Sequence, residues 1–229
     1  MDDQPKYFDR ILEFDGQDLT IKQCYFGDVG CVVWDAALVL LKFLELDFFK
    51  PKRDSLEKKH VIELGAGTGA VGLAASLLGA DVTVTDLEDF IPLMQLNIDT
   101  NKSVIRGTIT AKTLQWGASV ANFLPHPDVI LMSDCVYYLE FLLKAVDDLV
   151  KTMNELSGPE TVILCSYEER TMGQNLQSLD RFLKLVHEIF SVEEVPLDQQ
   201  DPVYRSEDIH ILTMKRTAPD SRQNSHVDK

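Results

Sequence analysis

Three short stretches of this 229-residue chain carry residue types that do chemistry, and each follows a run with strand character. The first is Glu63-Leu64-Gly65-Ala66-Gly67-Thr68-Gly69-Ala70-Val71-Gly72. Glycines in such a turn let a ligand lie against bare backbone at a helix N-terminus. Gly67, Gly69 and Gly72 also fit Gly-x-Gly-x-x-Gly, the dinucleotide fingerprint, and the same residues suit a purely structural strand–helix turn. No Gly-Lys-Ser/Thr follows, which removes a phosphate loop of the ATPase type. Glu63 discriminates, because a carboxylate beside the turn would repel a pyrophosphate and suit a cationic ligand. The second stretch supplies Asp86, 19 residues beyond Gly67. A carboxylate there can accept hydrogen bonds from ribose hydroxyls, or cap a helix. The third is Ser133-Asp134-Cys135-Val136-Tyr137-Tyr138, with an acid and a tyrosine three apart. Taken alone it also fits an N-cap followed by core aromatics. Three carboxylates (Glu63, Asp86, Asp134) at neighbouring strand ends repel one another unless a cation or hydroxyl donors lie between them. Trp34 and Trp116, the only tryptophans, suit stacking on a purine or packing in a core.

The elements that must position these residues alternate. YFDRILEF and LTIKQC flank Asp15-Gly16 and read as a hairpin, since that dipeptide supplies the positive φ angles of a tight turn. Asp35 stands at the expected N-cap of a helix over AALVLLKFLEL, and Lys50 to Lys59 is a solvated connector. From His60 onward, strands (HVIELG, DVTVTD, GTITAKTLQW, PDVILMSD, TVILCSYEE) alternate with helical patterns (GAVGLAASLLG, LEDFIPLMQLNIDTNK, LEFLLKAVDDLVKTMN, LQSLDRFLKLVHEIF). Alternation predicts a mostly parallel sheet with helices on both faces. SVEEVPL and DIHILTMK follow with no helix between them, which predicts an antiparallel last strand. The organisation expected is an N-terminal hairpin-and-helix extension over 1–59, a core over 60–216, and a disordered tail over 217–229.

Composition narrows the function classes. The chain holds 22 Lys+Arg against 37 Asp+Glu, a formal net charge of −15, which disfavours a nucleic-acid binder because phosphate contacts need clustered cations. Hydrophobic residues make up 45%, enough for a buried core, so wholesale disorder is excluded. Four cysteines without a Cys-x-x-Cys pair fit a reducing compartment, and no His/Asp cluster suggests a metal. The charged start MDDQPKYFDR leads us to expect no signal peptide. The uncharged run Leu64 to Ala80 falls short of the ~20 apolar residues a membrane span needs. A cytoplasmic chain, monomeric and off the membrane, is expected.

With these residues in view, the chain resembles the class I S-adenosylmethionine-dependent methyltransferases. More narrowly, it is similar to the methyltransferase-like family that modifies protein lysines. ELGAGTG resembles that family's first motif, TDLE its second, SDCVYY its Asp-x-x-Tyr signature, VGCVVWDAA its N-terminal cofactor segment and YRSEDIHI its final strand. The resemblance implies a Rossmann-like, seven-stranded sheet and S-adenosyl-L-methionine as cofactor. It implies that Trp34, Gly65, Ala66, Gly67, Asp86, Trp116 and Ser133 contact the cofactor beside Glu63, and that Asp134 and Tyr137 line the lysine channel as catalytic residues. Ser133 stands where the family usually has a small apolar residue. CVVWDAALVL, SYEERTMG and YRSEDIHI together resemble the members that modify valosin-containing protein, a AAA-type ATPase chaperone, which implies that substrate. Two other readings use the same residues: a nicotinamide-dependent oxidoreductase built on Gly-x-Gly-x-x-Gly, and a cofactor-binding adaptor without catalysis. A nucleic-acid methyltransferase would also suit an acid–aromatic motif, but the chain lacks a basic stripe.

Overall fold

The computed structural model describes residues 7–24, 29–46, 56–136, 143–170 and 175–217. Tyr137, the tail beyond 217 and most of the expected connector lie outside the described residues.

Strands β1 (Tyr7–Phe14) and β2 (Gln17–Cys24) form an antiparallel two-stranded sheet, with Phe14 opposite Gln17. Asp15 and Gly16 between them have φ of 49° and 70°, the positive pair that a tight hairpin turn demands. Helix α1 (Asp35–Glu45) follows. Trp34, in extended conformation, holds its N-cap position, so Asp35 is the first helical residue and not the cap that the sequence suggested. Its carboxylate still sits in the first turn, where the helix dipole favours it.

Strands β3 (His60–Leu64), β4 (Asp81–Asp86), β5 (Thr108–Thr113), β6 (Val129–Ser133), β7 (Val162–Glu168), β8 (Phe190–Glu194) and β9 (Ile209–Arg216) make one sheet in the order β5-β4-β3-β6-β7-β9-β8. The first five are parallel, whereas β9 inserts between β7 and β8 and runs antiparallel to both. Helices α2 (Ala70–Leu77), α3 (Ile91–Thr100), α4 (Leu143–Leu156) and α5 (Asn175–Ile189) make the crossovers. The expected helix from Leu87 opens as a 3-10 turn over Glu88–Phe90 and becomes α-helical only at Ile91. β8 stops at Glu194, just before Val195-Pro196, since proline has no N–H for the ladder.

The central strands are apolar on both faces, and their period of two divides the core. Val61, Val82, Val84, Val129 and Leu131 share one cluster with α1, α2 and hairpin residues Phe14, Leu19 and Ile21. Ile62, Leu64, Ile130, Met132, Ile163 and Cys165 share the other with Val146, Leu149 and Val150 of α4 and Phe182 and Val186 of α5. Both faces of the sheet are therefore covered, as a parallel sheet requires. Among the described residues, no helix is long and apolar enough to cross a membrane.

The hairpin is tied to the region after β3. Asn97 of α3 and Asn101, its C-cap residue, hydrogen-bond the β2 backbone: Thr20 N–H donates to Asn101 Oδ1 (2.8 Å), and Lys22 N–H to Asn97 Oδ1 (2.6 Å). Asn97 Nδ2 also donates to the Thr68 carbonyl in the glycine turn (2.9 Å). From the hairpin, Arg10 Nη1 donates to the Val33 carbonyl (3.0 Å), and Gln23 Oε1 accepts the Val33 N–H (2.8 Å). These bonds, with Ser166 Oγ on the Ala36 carbonyl (2.8 Å), set the position of Trp34 at the head of α1.

Candidate functional site

The strand order reverses at β3, whose neighbours are β4 on one side and β6 on the other. Ligands in open α/β sheets bind at such a switch point, outside the carboxyl ends of the strands. A cleft of about 430 Å³ lies there, a size suited to a nucleoside. Trp34, Glu63, Gly65, Ala66, Gly67, Asp86, Trp116, Ser133 and Asp134 all line it. The residues singled out from sequence thus meet around one cavity, Tyr137 alone lying outside the described residues.

The glycine turn is bare because it has to be. Gly65 and Gly67 have φ of 61° and 53°. A Cβ on Gly65 would fall 2.7 Å from Cys135 Sγ and 3.0 Å from Trp116, and one on Gly67 would fall 2.6 Å from the Gly30 carbonyl oxygen. Only glycine meets both requirements, left-handed backbone and close approach.

Glu63 shares a strand face with Val61, so its side chain turns beneath α2 and is 1% exposed. Its Oε2 accepts the Gly72 N–H at 2.8 Å, satisfying an orphan donor of the helix's first turn. Burial pushes its pKa up to about 8; the Gly72 hydrogen bond offsets part of this, and the charge of Asp86 adds to it. Near neutral pH this group is mostly an acid, not the bare carboxylate of the sequence picture, until a cation in the cleft favours its ionised form.

Asp86 closes β4. Its Oδ2 accepts the Gly67 N–H and its Oδ1 the Leu87 N–H, each at 2.7 Å. The carboxylate therefore pins the glycine turn to the second strand end. A carboxylate oxygen can accept more than one hydrogen bond, so these two bonds do not by themselves bar hydroxyl donors from the cleft.

Asp134 follows β6 with φ of 53°, left-handed for a residue with a side chain. Its N–H donates to the Ser166 carbonyl (2.8 Å), which fixes that conformation. Its carboxylate, 6% exposed, receives a bidentate fork from Arg170: Nη1 to Oδ1 at 2.9 Å and Nη2 to Oδ2 at 2.6 Å. Arg170 Nη2 also reaches Glu168 Oε2 (2.6 Å), and its guanidinium carbon lies 5.5 Å from the Trp34 ring centroid. Sequence reasoning missed Glu168 and Arg170, although the rule that found the other three applies here too: Glu168 closes β7, the next strand along, and Arg170 lies two residues beyond it. Phe90, Lys144 and Asp148 also line the cleft without any motif to announce them, whereas Gly30 falls within VGCVVWDAA. Burial pushes the thiols of Cys135 and Cys165 up, which removes both as thiolate nucleophiles.

A family model described as lysine methyltransferase matches residues 13–188. The chain belongs to this lysine methyltransferase family. The match takes in β2, the glycine turn, Asp86, Asp134 and Arg170, so it covers the cleft. The chain is 38% identical over 192 residues to protein-lysine methyltransferase METTL21E of Bos taurus, covering 80% of itself and 61% of that relative. It is 38% identical over 179 residues to protein N-lysine methyltransferase METTL21A of Danio rerio, covering 77% of itself and 75% of that protein. Among solved structures, it resembles the 16S rRNA N2 G1207 methyltransferase RsmC of T. Thermophilus, in complex with AdoMet and guanosine, with a TM-score of 0.63 at 15% identity. That likeness covers 92% of this chain and 51% of RsmC and speaks for the fold of the family core.

Proposed function

We propose that the chain transfers a methyl group from S-adenosyl-L-methionine to a lysine side chain of a protein. The observation that carries this reading is the gathering of Glu63, Asp86 and Asp134 behind a bare glycine turn, in one cleft of a lysine methyltransferase family member. The residues present fit a cationic nucleoside. The Gly65 and Gly67 backbone leaves space that a Cβ would fill. Asp86 has acceptor capacity suited to a ribose, and Trp34 and Trp116 offer flat apolar surface. Buried Glu63 gains its charge when a cation enters. Trp34, Glu63, Gly65, Ala66, Gly67, Asp86, Trp116 and Ser133 are the residues we assign to the cofactor. When bound, it supplies a methyl on a positively charged sulfur.

The rest falls to the chain's own residues. A lysine amine must be neutral to attack, and at pH 7 deprotonation costs about 4.6 kcal/mol from a reference pKa near 10.4. Asp134, with Tyr137 assigned beside it from the Asp-x-x-Tyr signature, accepts hydrogen bonds from the amine and points its lone pair at the methyl. Fixing the two reactants in line is the larger share of the catalysis. The net charge of −15 favours encounter with a lysine-bearing, basic protein surface.

Valosin-containing protein is the substrate we assign, supported by the segments CVVWDAALVL, SYEERTMG and YRSEDIHI, with the enzyme acting as a cytoplasmic monomer. Incubating purified valosin-containing protein with the chain and label-bearing S-adenosylmethionine tests this. The expected result is label on lysine, lost with Asp134→Ala; a substrate that stays unlabelled while other proteins take up label would reject this assignment alone.

A further inference from the structure

Arg170 is used by no step above, yet it is the closest charged partner of Asp134. Two residues beyond β7, it offers a planar fork to both Asp134 oxygens (2.9 and 2.6 Å), shares Glu168 (2.6 Å) and lies over Trp34 (5.5 Å). Its side chain is 23% exposed and that of Asp134 only 6%, so the pair is shielded from screening. Burial works against the guanidinium charge, but the bond and charge of Asp134 and the charge of Glu168 outweigh it.

The consequence lies in what a carboxylate does to an amine. A lone carboxylate beside a lysine favours the ammonium and raises its pKa by about 1 to 3 units. That adds to the cost of forming the nucleophile. A carboxylate carrying a guanidinium fork keeps a lone pair for an incoming N–H: the fork takes two of about four acceptor sites, and the Glu168 N–H, 3.5 Å from Asp134 Oδ1, leans on a third. Its charge, however, is cancelled at short range. We propose that Arg170 is a positioning residue that holds Asp134 as a hydrogen-bond acceptor while neutralising it, so that the target lysine is oriented without being stabilised as an ammonium. The inference rests on the reading of Asp134 as the amine's acceptor.

Among the described residues, the charged groups near this pair include Glu168 from β7 and, lining a pocket with it, Asp35 from the start of α1 and Asp208 ahead of β9. Glu63 and Asp86 from β3 and β4, and Lys144 and Asp148 from α4, face it across the cleft, and the Cys135 and Cys165 thiols flank Asp134. None of these changes when Arg170 is replaced, so the difference between variants isolates one positive charge.

The test is the pH dependence of kcat for methyl transfer to purified valosin-containing protein, or to lysines of a protein extract if that protein takes no label. With Arg170→Gln, the rising limb is expected to move about one pH unit alkaline, giving about tenfold lower kcat near pH 7.5 and convergence on wild type at high pH. Arg170→Lys keeps the charge and is expected to hold the wild-type limb. Glu168→Gln removes a negative charge at a half-exposed position and is expected to move the limb the other way by about a few tenths of a unit. Calorimetric binding of S-adenosylmethionine checks that each variant is folded. A loss with Arg170→Gln that is equal at every pH, an Arg170→Lys limb displaced as far as the glutamine one, or an unmoved Glu168→Gln limb overturns the inference. No lysine labelling by the wild-type chain overturns instead the reading of the cleft on which it rests.

Discussion

Glu63→Gln should make the protein more stable in alkaline solution while leaving it nearly unchanged in acid. The side chain is 1% exposed, and burial, opposed by the Gly72 hydrogen bond and reinforced by Asp86, raises its pKa from 4.5 to about 8. Between those two values the folded chain holds a proton that the unfolded chain has released. Stability from this group is therefore fully present below pH 4.5 and falls as pH rises toward 8, by about 1.4 kcal/mol per unit. Integrated from pH 5 to pH 8, with the curve flattening at the top, the loss is on the order of a few kcal/mol. Glutamine keeps an oxygen for the Gly72 N–H and cannot ionise, so its loss should be absent. At pH 8 the variant's thermal midpoint should exceed wild type by on the order of 10 °C. Urea unfolding or thermal melts of both proteins at several pH values would measure the difference. Parallel curves across that range would refute the reasoning, since they would mean that Glu63 titrates alike in both states.

Two further outcomes follow from the same geometry. Asp134→Ala should lower methyl transfer by about 10²- to 10⁴-fold with a native circular dichroism spectrum, because Arg170 retains Glu168 and the Trp34 ring; full activity would remove Asp134 from the mechanism. Gly67→Ala, whose Cβ would fall 2.6 Å from the Gly30 carbonyl, should cost on the order of 1 to 3 kcal/mol in urea unfolding and weaken cofactor binding; Gly16→Ala, with similar φ but nothing within 4 Å, should cost less and leave binding alone.

Much of this was legible because it depends on local chemistry. Alternating apolar runs give a parallel sheet wherever crossovers are helical, and Asp15-Gly16 names its own turn. The glycine turn, Asp86 and Asp134 could be placed because a strand end fixes a location without side-chain detail. What escaped depends on direction and partners. Whether Glu63 faces the cleft edge or the helix above it is a matter of strand face, and parity with Val61 would have turned it under α2. Glu168 and Arg170 stand at and just past the end of β7, but nothing in the sequence says that Arg170 folds back onto Asp134 across the sheet edge. That Asp86 already grips the Gly67 N–H depends on the fold of a turn that only coordinates can specify. The insertion of β9 between β7 and β8 is likewise set by tertiary pairing, since a sequence reading gives antiparallel sense but not position.

The most direct measurement is mass spectrometry of proteins exposed to the purified chain and S-adenosylmethionine carrying a deuterated methyl. Deuterated methyl groups are expected on lysine nitrogen, present with the wild-type chain and absent with Asp134→Ala. Label on another residue type or on nucleic acid, or none at all from a chain that binds the cofactor, would contradict this expectation.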